Sequence, residues 1–531
     1  MSLAQPPCSH YEAIRTALLA RREIALLDVR EEDPHAQSHP LFAAHLSLSR
    51  LELEAFAKLP RRDVPIVTLD NGEGLAARAA RKLTELGYTK VSVLEGGIEG
   101  WRAAGGELFR DVNAPSKAFG ELLDATLHTP SLPAEEVRAL LDANADALVV
   151  DVRRFDEYQA MNIPGSINVP GAELVLRVPE LAPNPQTRVI VNCAGRTRGI
   201  VGAQSLINAG LPNPVAALRN GTIGWTLAGF GQNLEHGQTR RFRPVPDSLR
   251  AAGATRAHAL AERAGVKWAT LADIDPWHAQ DVRTTYFIDV RDPAEYLAGH
   301  LPDFRSVPGG QLVQETEMTA AVRGARIVLA DDDGVRANMT ASWLAQMDWD
   351  VYVLTPPPPA AWSETGPWQA PRPPVPEARR IGPQTLREWL NSPDAPVVID
   401  LTAHANYHRG HIPGAWYALR AQYREALARL PKARRYVLTC LSGLLADYSH
   451  AELAALVEGD VYVLDGGTNA WKAAGLPLET QERLASPPID RYRRPYEGTG
   501  NSAEAMQAYL DWEYGLVEQL KRDGTHHFRV I

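Results

Sequence analysis

The stretch RVIVNCAGRTRG at residues 188–199 places an apolar strand directly before a loop of small and charged residues. Three other segments have the same form: IVTLDNGEG (66–74), IVLADDDGVRA (327–337) and YVLTCLSGLLA (436–446). The first loop residues are Asp70, Cys193, Asp331 and Cys440, at intervals of 123, 138 and 109 residues. A pattern that returns at such intervals indicates an internal repeat of one structural unit.

Two further landmarks recur at nearly the same intervals. Apolar strands ending in aspartate occur as ALLDVR (25–30), LVVDVR (148–153), YFIDVR (286–291) and VVIDLT (397–402). A third strand leads each time to a tryptophan, at Trp101, Trp225, Trp362 and Trp471. Short apolar strands alternate with helical patterns, which is typical of a parallel sheet covered by helices on both faces. The sequence therefore predicts an α/β protein of four tandem domains, each with a small parallel sheet.

The domain boundaries follow from these landmarks. We expect unit one at 1–112, unit two at 128–235, a basic and helical connector at 236–265, unit three at 266–371, unit four at 377–480, and a C-terminal extension with one helix at 481–531. The Pro-rich segment at 356–376 is typical of a stiff, extended linker between units three and four.

Composition excludes several classes of protein. The 531 residues carry a formal net charge of −9, which argues against general binding to nucleic acid or to an anionic membrane. No apolar run approaches the length of a membrane span, and no secretory signal is visible. The three cysteines, Cys8, Cys193 and Cys440, are too few for a disulfide scaffold or a four-cysteine zinc site. We expect a cytoplasmic protein without a metal or an organic cofactor.

Cys193 is the strongest nucleophile candidate in the chain. It follows a predicted strand and precedes a helix, so the loop amides and the positive end of the helix should face the sulfur. Arg196 and Arg198 add fixed cations. These effects together predict a thiolate, which is the reactive form of cysteine.

The chain resembles the rhodanese (sulfurtransferase) family over nearly its whole length. Three groups of motifs carry the resemblance: DVR at 28–30, 151–153 and 289–291; EYQAMNIPGSINVP (157–170), EYLAGHLPDF (295–304) and NYHRGHIPGAW (406–416); and EGGIEGW (95–101) and DGGTNAW (465–471). The resemblance implies that Cys193 takes the outer sulfur of thiosulfate as a persulfide and passes it to cyanide or a thiol. It also implies a donor-binding loop formed by Ala194, Gly195, Arg196, Thr197, Arg198 and Gly199, with the two arginines holding the sulfonate.

Alternatives within this resemblance stay open. The donor could be mercaptopyruvate or a glutathione persulfide, or the chain could carry persulfide sulfur or dock a protein partner that accepts it. Phosphatases and arsenate reductases that resemble this fold have five residues between cysteine and arginine. Here four residues separate Cys193 from Arg198, so the shorter loop favours a single sulfur atom over a tetrahedral oxyanion.

The other three loops are less promising. Cys440 lies in CLSGLLA, which has no arginine, so its turnover is an open prediction. Asp70 and Asp331 cannot form a persulfide, which predicts that units one and three are inactive. The run Asp331–Asp333 is expected to be a solvated acidic loop. Cys8 lies in a Pro-rich terminus that we expect to be mobile, and it has no activating loop.

Overall fold

Four five-stranded sheets form the chain in a computed structural model, which describes residues 6–498 and 500–531. Each sheet has the strand order 1-5-4-2-3, and neighbouring strands are parallel. The strands are Cys8–Ser9, Ala25–Asp28, Ala43–His45, Ile66–Leu69 and Val91–Leu94 in unit one; Ser131–Leu132, Ala147–Asp151, Ile167–Asn168, Arg188–Asn192 and Val215–Leu218 in unit two; Lys267–Ala269, Thr285–Asp289, Arg305–Ser306, Arg326–Ala330 and Asp350–Leu354 in unit three; and Arg380–Ile381, Val397–Asp400, Trp416–Tyr417, Arg435–Thr439 and Asp460–Leu464 in unit four.

The α-helices follow the strands in each repeat. They are Tyr11–Leu19, Glu32–Gln37, Leu51–Lys58, Leu75–Glu85 and Gly97–Ala103 in unit one; Ala134–Asp142, Phe155–Ala160, Leu174–Leu181, Thr197–Asn208 and Gly221–Trp225 in unit two; Leu271–Ile274, Pro293–Ala298, Gly309–Gln314, Thr316–Thr319 and Arg336–Gln346 in unit three; and Pro383–Leu390, His404–Arg409, Tyr423–Leu427, Leu444–Ala454 and Gly467–Ala473 in unit four. In the described part of the chain, none of the helices combines the length and the apolar character that crossing a membrane requires.

Both faces of each sheet are covered, as unit one illustrates. Successive residues of a strand point to opposite faces. Leu27 packs in one buried cluster with Leu83 of the helix Leu75–Glu85. Its neighbour Leu26 belongs to a second cluster with Leu18 and Trp101. Strands buried on both faces explain the continuous apolar runs of the sequence.

Helices also occupy the segments outside the four units. Ala114–Leu127 lies between units one and two, where no element was predicted, and Asp247–Arg263 forms the connector helix. The prediction of one C-terminal helix is wrong, since the chain forms Ala503–Tyr514 and Leu516–Asp523. The break falls at Gly515, whose N–H donates to the carbonyl of Trp512, three residues back, and glycine weakens a helix interior. Cys8 is exposed and begins the first strand, so the expected mobile terminus does not extend to this residue.

Buried polar contacts join units that are far apart in the sequence. The hydroxyl of Tyr286 in unit three donates to the carbonyl of Lys58 in unit one at 2.6 Å. The guanidinium of Arg420 in unit four pairs with Glu52 of unit one at 2.6 Å. Arg336 of unit three pairs with Glu173 of unit two at 3.0 Å. Unit one therefore packs against units three and four, and unit two packs against unit three.

Candidate active site

Each of the four loops follows the fourth strand, which lies at the centre of its sheet. Cys193 comes between the strand Arg188–Asn192 and the helix Thr197–Asn208, and Cys440 comes between Arg435–Thr439 and Leu444–Ala454. The carboxyl ends of parallel strands are where α/β proteins bind their ligands. Both cysteines thus occupy the position that the sequence predicts for a nucleophile.

The sulfur of Cys193 receives one backbone N–H within hydrogen-bond distance. Gly199 donates to the sulfur at 3.2 Å. On the other side, the thiol donates to the carbonyl of Gly195 at 3.3 Å, and the carbonyl of Arg196 lies 3.8 Å away. Two carbonyl oxygens beside the sulfur favour the neutral thiol, because they would repel a thiolate.

The two loop arginines are already engaged by carboxylates. Arg198 makes a bidentate pair with Glu157, with both contacts at 2.8 Å. Arg196 makes a bidentate pair with Glu121 at 2.7 and 2.9 Å and also contacts Asp124 at 2.9 Å. Both of these carboxylates belong to the helix Ala114–Leu127, between units one and two. This arrangement argues against a direct role of Arg196 in binding a donor, whereas Arg198 remains a candidate.

The C-terminal helix Ala503–Tyr514 covers the Cys193 loop. A Cβ atom built on Gly195 would lie 3.2 Å from a ring carbon of Tyr509 and 3.5 Å from a carboxylate oxygen of Glu513. Ala194 packs in a buried cluster with Tyr509, and the hydroxyl of Thr197 lies 3.5 Å from Glu513. Sequence reasoning missed this cover, since residues 481–531 carry none of the repeat motifs that identify the loops.

Burial raises the pKa of the Cys193 thiol to about 11, although Arg198 and the Gly199 N–H act in the opposite direction. Glu513 adds to the increase, and its own pKa rises to about 8 because it is buried. The structure thus favours the neutral thiol at Cys193, where the sequence predicts a thiolate, because the effect of burial exceeds the opposite effects of Arg198 and the Gly199 N–H.

Alkylation of Cys193 by iodoacetamide should accelerate about tenfold per pH unit between pH 7 and pH 9, because only the thiolate reacts and its fraction rises tenfold per unit below the pKa. Peptide-level mass spectrometry at successive times would measure the rate for this residue alone. A rate that levels off by pH 8 would contradict a pKa near 11. The exposed Cys8 gives an internal comparison for the accessibility of the reagent.

Cys440 has a different loop geometry. Backbone N–H groups of Ser442, Gly443, Leu445 and Ala446 all act on the sulfur and lower its pKa, while burial raises the pKa above its ordinary value. Gly443 has φ = 84°, and a Cβ atom there would lie 3.2 Å from the carbonyl oxygen of Leu464. The loop therefore requires glycine at this position.

In units one and three, a carboxylate takes the place of the sulfur. Asp70 accepts N–H groups from Gly72 at 3.1 Å and Ala76 at 3.0 Å. Asp331 accepts them from Gly334 at 3.1 Å and Ala337 at 2.8 Å. In these two loops, the backbone N–H groups therefore donate to the carboxylate of the loop's own aspartate.

The expectation that Asp331–Asp333 is a solvated loop is wrong for Asp331 and Asp333, whereas Asp332 is exposed. Asp331 is fully buried, and Asp333 is buried and pairs with Arg336 at 2.8 Å. The buried guanidinium of Arg336 compensates the negative charge of these acidic residues. From their hydropathy alone, the residues would be expected in solvent. Across residues 6–498 and 500–531, no group of three His, Cys, Asp or Glu side chains is arranged to hold a metal ion.

Comparisons with known proteins support the division of the chain into four repeated units. The family model of the rhodanese-like domain matches residues 15–104, 133–228, 275–355 and 382–474. The chain is similar to the crystal structure of a thiosulfate sulfurtransferase from Pseudomonas aeruginosa, with 66% identity and a TM-score of 0.97, over 99% of this chain and 100% of that one.

Curated relatives match shorter stretches of the chain. The thiosulfate sulfurtransferase GlpE of Coxiella burnetii is 30% identical over 95 residues, which is 18% of this chain and 85% of that protein. A putative thiosulfate sulfurtransferase SseB of Mycobacterium tuberculosis is 34% identical over 124 residues, which is 22% of this chain. The match spans less than half of that relative, 43% of its length. Four matched units with one sheet topology show that the chain belongs to the family of rhodanese-like domain proteins.

Proposed function

We propose that this protein is a thiosulfate sulfurtransferase, which moves sulfane sulfur to cyanide or to a thiol through a cysteine persulfide. The likeness to the Pseudomonas aeruginosa thiosulfate sulfurtransferase carries the proposal, because it extends over the full chain at 66% identity. The four units together, and not one repeat alone, are thus shared with a protein of that name.

Cys193 is the proposed carrier of the persulfide. Its loop lies beside a pocket of about 450 Å³, whose lining includes Arg153, Arg198 and Tyr496. Guanidinium groups suit a donor with several oxygen atoms, such as the sulfonate of thiosulfate. In the proposed reaction, the donor replaces Glu157 as the partner of Arg198, which brings the sulfonate next to the sulfur of Cys193.

The chemistry is a pair of displacements at sulfur. The thiol proton leaves to solvent, and the Cys193 thiolate attacks the outer sulfur of thiosulfate. The new S–S bond forms as the S–S bond of the donor breaks, and sulfite leaves with the electron pair. Attack on the persulfide by cyanide or a thiolate then returns Cys193 as a thiolate. Because the pKa of Cys193 is about 11, the Gly199 N–H and the released Arg198 have to stabilise the anion during both steps.

Mass spectrometry after brief exposure to thiosulfate, without reductant, tests this proposal. We expect the Cys193 peptide to gain one sulfur atom, with an equal amount of sulfite released. Cyanide added afterwards should remove the sulfur as thiocyanate. The Cys8→Ser variant is the matched control and should behave as the unmodified chain does. A chain in which neither Cys193 nor Cys440 gains sulfur from thiosulfate would contradict the proposal.

A further inference from the structure

A second pocket of about 570 Å³ lies between units one and four. Cys440, Ser442 and Leu445 line it from unit four, and Ser49, Arg50 and Glu54 line it from unit one. We call this cavity the one–four pocket. It places a buried cysteine at the wall of a cavity large enough for an organic molecule, in a repeat that lacks the arginines of unit two.

Arg50 supplies the missing positive charge. Arg50 lines the same cavity as Cys440, so it places a guanidinium in the pocket into which the sulfur is exposed. The side chain of Arg50 is half exposed. Within the described part of the chain, this side chain makes one hydrogen bond, which Nε donates to the Glu54 carboxylate at 2.7 Å. The two terminal amino groups of Arg50 are therefore available to an anion in the pocket, in contrast to those of Arg198, which are both bonded to Glu157.

The negative charges of the acidic residues that line the pocket are partly compensated by neighbouring cations. Glu54 shares its charge between Arg50 and Lys58, which lies 2.9 Å from its carboxylate. Burial raises the pKa of Glu31 to about 7, so this group carries only part of a negative charge at neutral pH. Arg491 also lines the pocket. An anion that enters thus meets Arg50 from unit one and Arg491 from the C-terminal extension, while the carboxylates of Glu32 and Asp490 also line the pocket.

Unit four also lacks a side chain that fills the corresponding space in the other repeats. Arg30, Arg153 and Arg291 each pair with the aspartate two residues earlier, at 2.5, 2.7 and 2.6 Å. The equivalent residue is Thr402, which lines the one–four pocket and is 5% exposed. Threonine is much smaller than arginine, so this position leaves room in the pocket on the side of unit four.

We infer that Cys440 of unit four and Arg50 of unit one together form a second sulfur-transfer site, which takes sulfane sulfur carried next to an anionic group. The inference rests on the proposed function. It adds a second site, to which unit one contributes Arg50. It also gives unit one, whose repeat loop carries Asp70 in place of a cysteine, a role in the reaction.

Sulfur transfer to Cys440 follows the same course as sulfur transfer to Cys193. The Cys440 thiol loses its proton to solvent, and its thiolate attacks the sulfane sulfur of the donor. The bond between that sulfur and the rest of the donor breaks, and the anionic remainder leaves with the electron pair while Arg50 holds it. With thiosulfate the leaving group is sulfite, and with glutathione persulfide it is the glutathione thiolate. The amides of the Cys440 loop stabilise the resulting persulfide anion.

A chain in which Cys440 is the only cysteine tests the inference. In the Cys8→Ser, Cys193→Ser background, we expect the Cys440 peptide to gain one sulfur atom from thiosulfate or from glutathione persulfide, and the two donors show which anion the pocket accepts. Arg50→Ala should slow the uptake about tenfold or more and raise the half-saturating donor concentration, because a charge-assisted contact is lost. Arg50→Lys should retain part of the rate.

The matched control is Arg22→Ala, which removes an exposed arginine of unit one that lies outside the pocket and should leave uptake unchanged. Uptake that is equally fast in Arg50→Ala would overturn the role of Arg50. If neither donor modifies Cys440 while Cys193 of the unmodified chain gains sulfur, the second site is wrong and the proposed function stands. If neither cysteine gains sulfur, the proposed function fails as well.

Discussion

The Cys193→Ser, Cys440→Ser double variant is expected to release no sulfite from thiosulfate above the rate without protein. A serine hydroxyl cannot form a persulfide, and the two other repeat loops carry Asp70 and Asp331, whose carboxylates accept the loop amides themselves. Steady-state sulfite release with cyanide as the acceptor measures this loss. Circular dichroism and the thermal unfolding temperature would establish that the variant is folded.

The two single variants divide the activity between the sites. Each should retain the turnover of the remaining cysteine, so the sum of the two rates should approximate that of the unmodified chain if the sites act independently. Cys8→Ser should retain full turnover, since Cys8 lies on an edge strand and not in a loop. Sulfite release that persists in the double variant would assign sulfur transfer to a group outside the four loops.

Replacement of Arg336 by alanine should lower the free energy of unfolding by about 3–5 kcal/mol, since removing one partner of a buried ion pair leaves an uncompensated charge. The guanidinium is 1% exposed and lies within 3.0 Å of Glu173, Asp332 and Asp333. Glu173 belongs to unit two, so the change should also loosen the contact between units two and three. Urea unfolding followed by tryptophan fluorescence measures the loss.

An exposed arginine provides the control for this change. Arg138 pairs with Asp142 at 2.8 Å on the surface of one helix, where water screens the ion pair and its contribution to stability is small. Arg138→Ala should therefore change the free energy of unfolding only slightly. If Arg336→Ala lowers the free energy of unfolding no more than Arg138→Ala does, the buried acidic residues of unit three do not depend on Arg336 to compensate their charge.

The fold could be predicted because its determinants lie close together in the sequence. The strands ending at Asp28, Asp151, Asp289 and Asp400 recur at nearly constant intervals, and their continuous apolar runs indicate burial on both faces. The positions of Cys193 and Cys440 follow from the same local pattern of strand, loop and helix. The burial of Asp331 and Asp333 could not be predicted, because Arg336, whose charge compensates this acidic run, takes its other partners from distant segments.

Four repeats, the parallel sheets and the placement of two cysteines at the ends of central strands follow from the sequence alone. The packing of the folded chain was needed to show that the C-terminal helix covers the Cys193 loop, that carboxylates pair with Arg196 and Arg198, and that Arg50 lines the same pocket as Cys440. Glu513 and Arg50 are separated by hundreds of residues from the loops that they reach. Secondary structure leaves a periodic pattern in the chain, whereas contacts between units depend on how whole domains pack, and no local pattern records that packing.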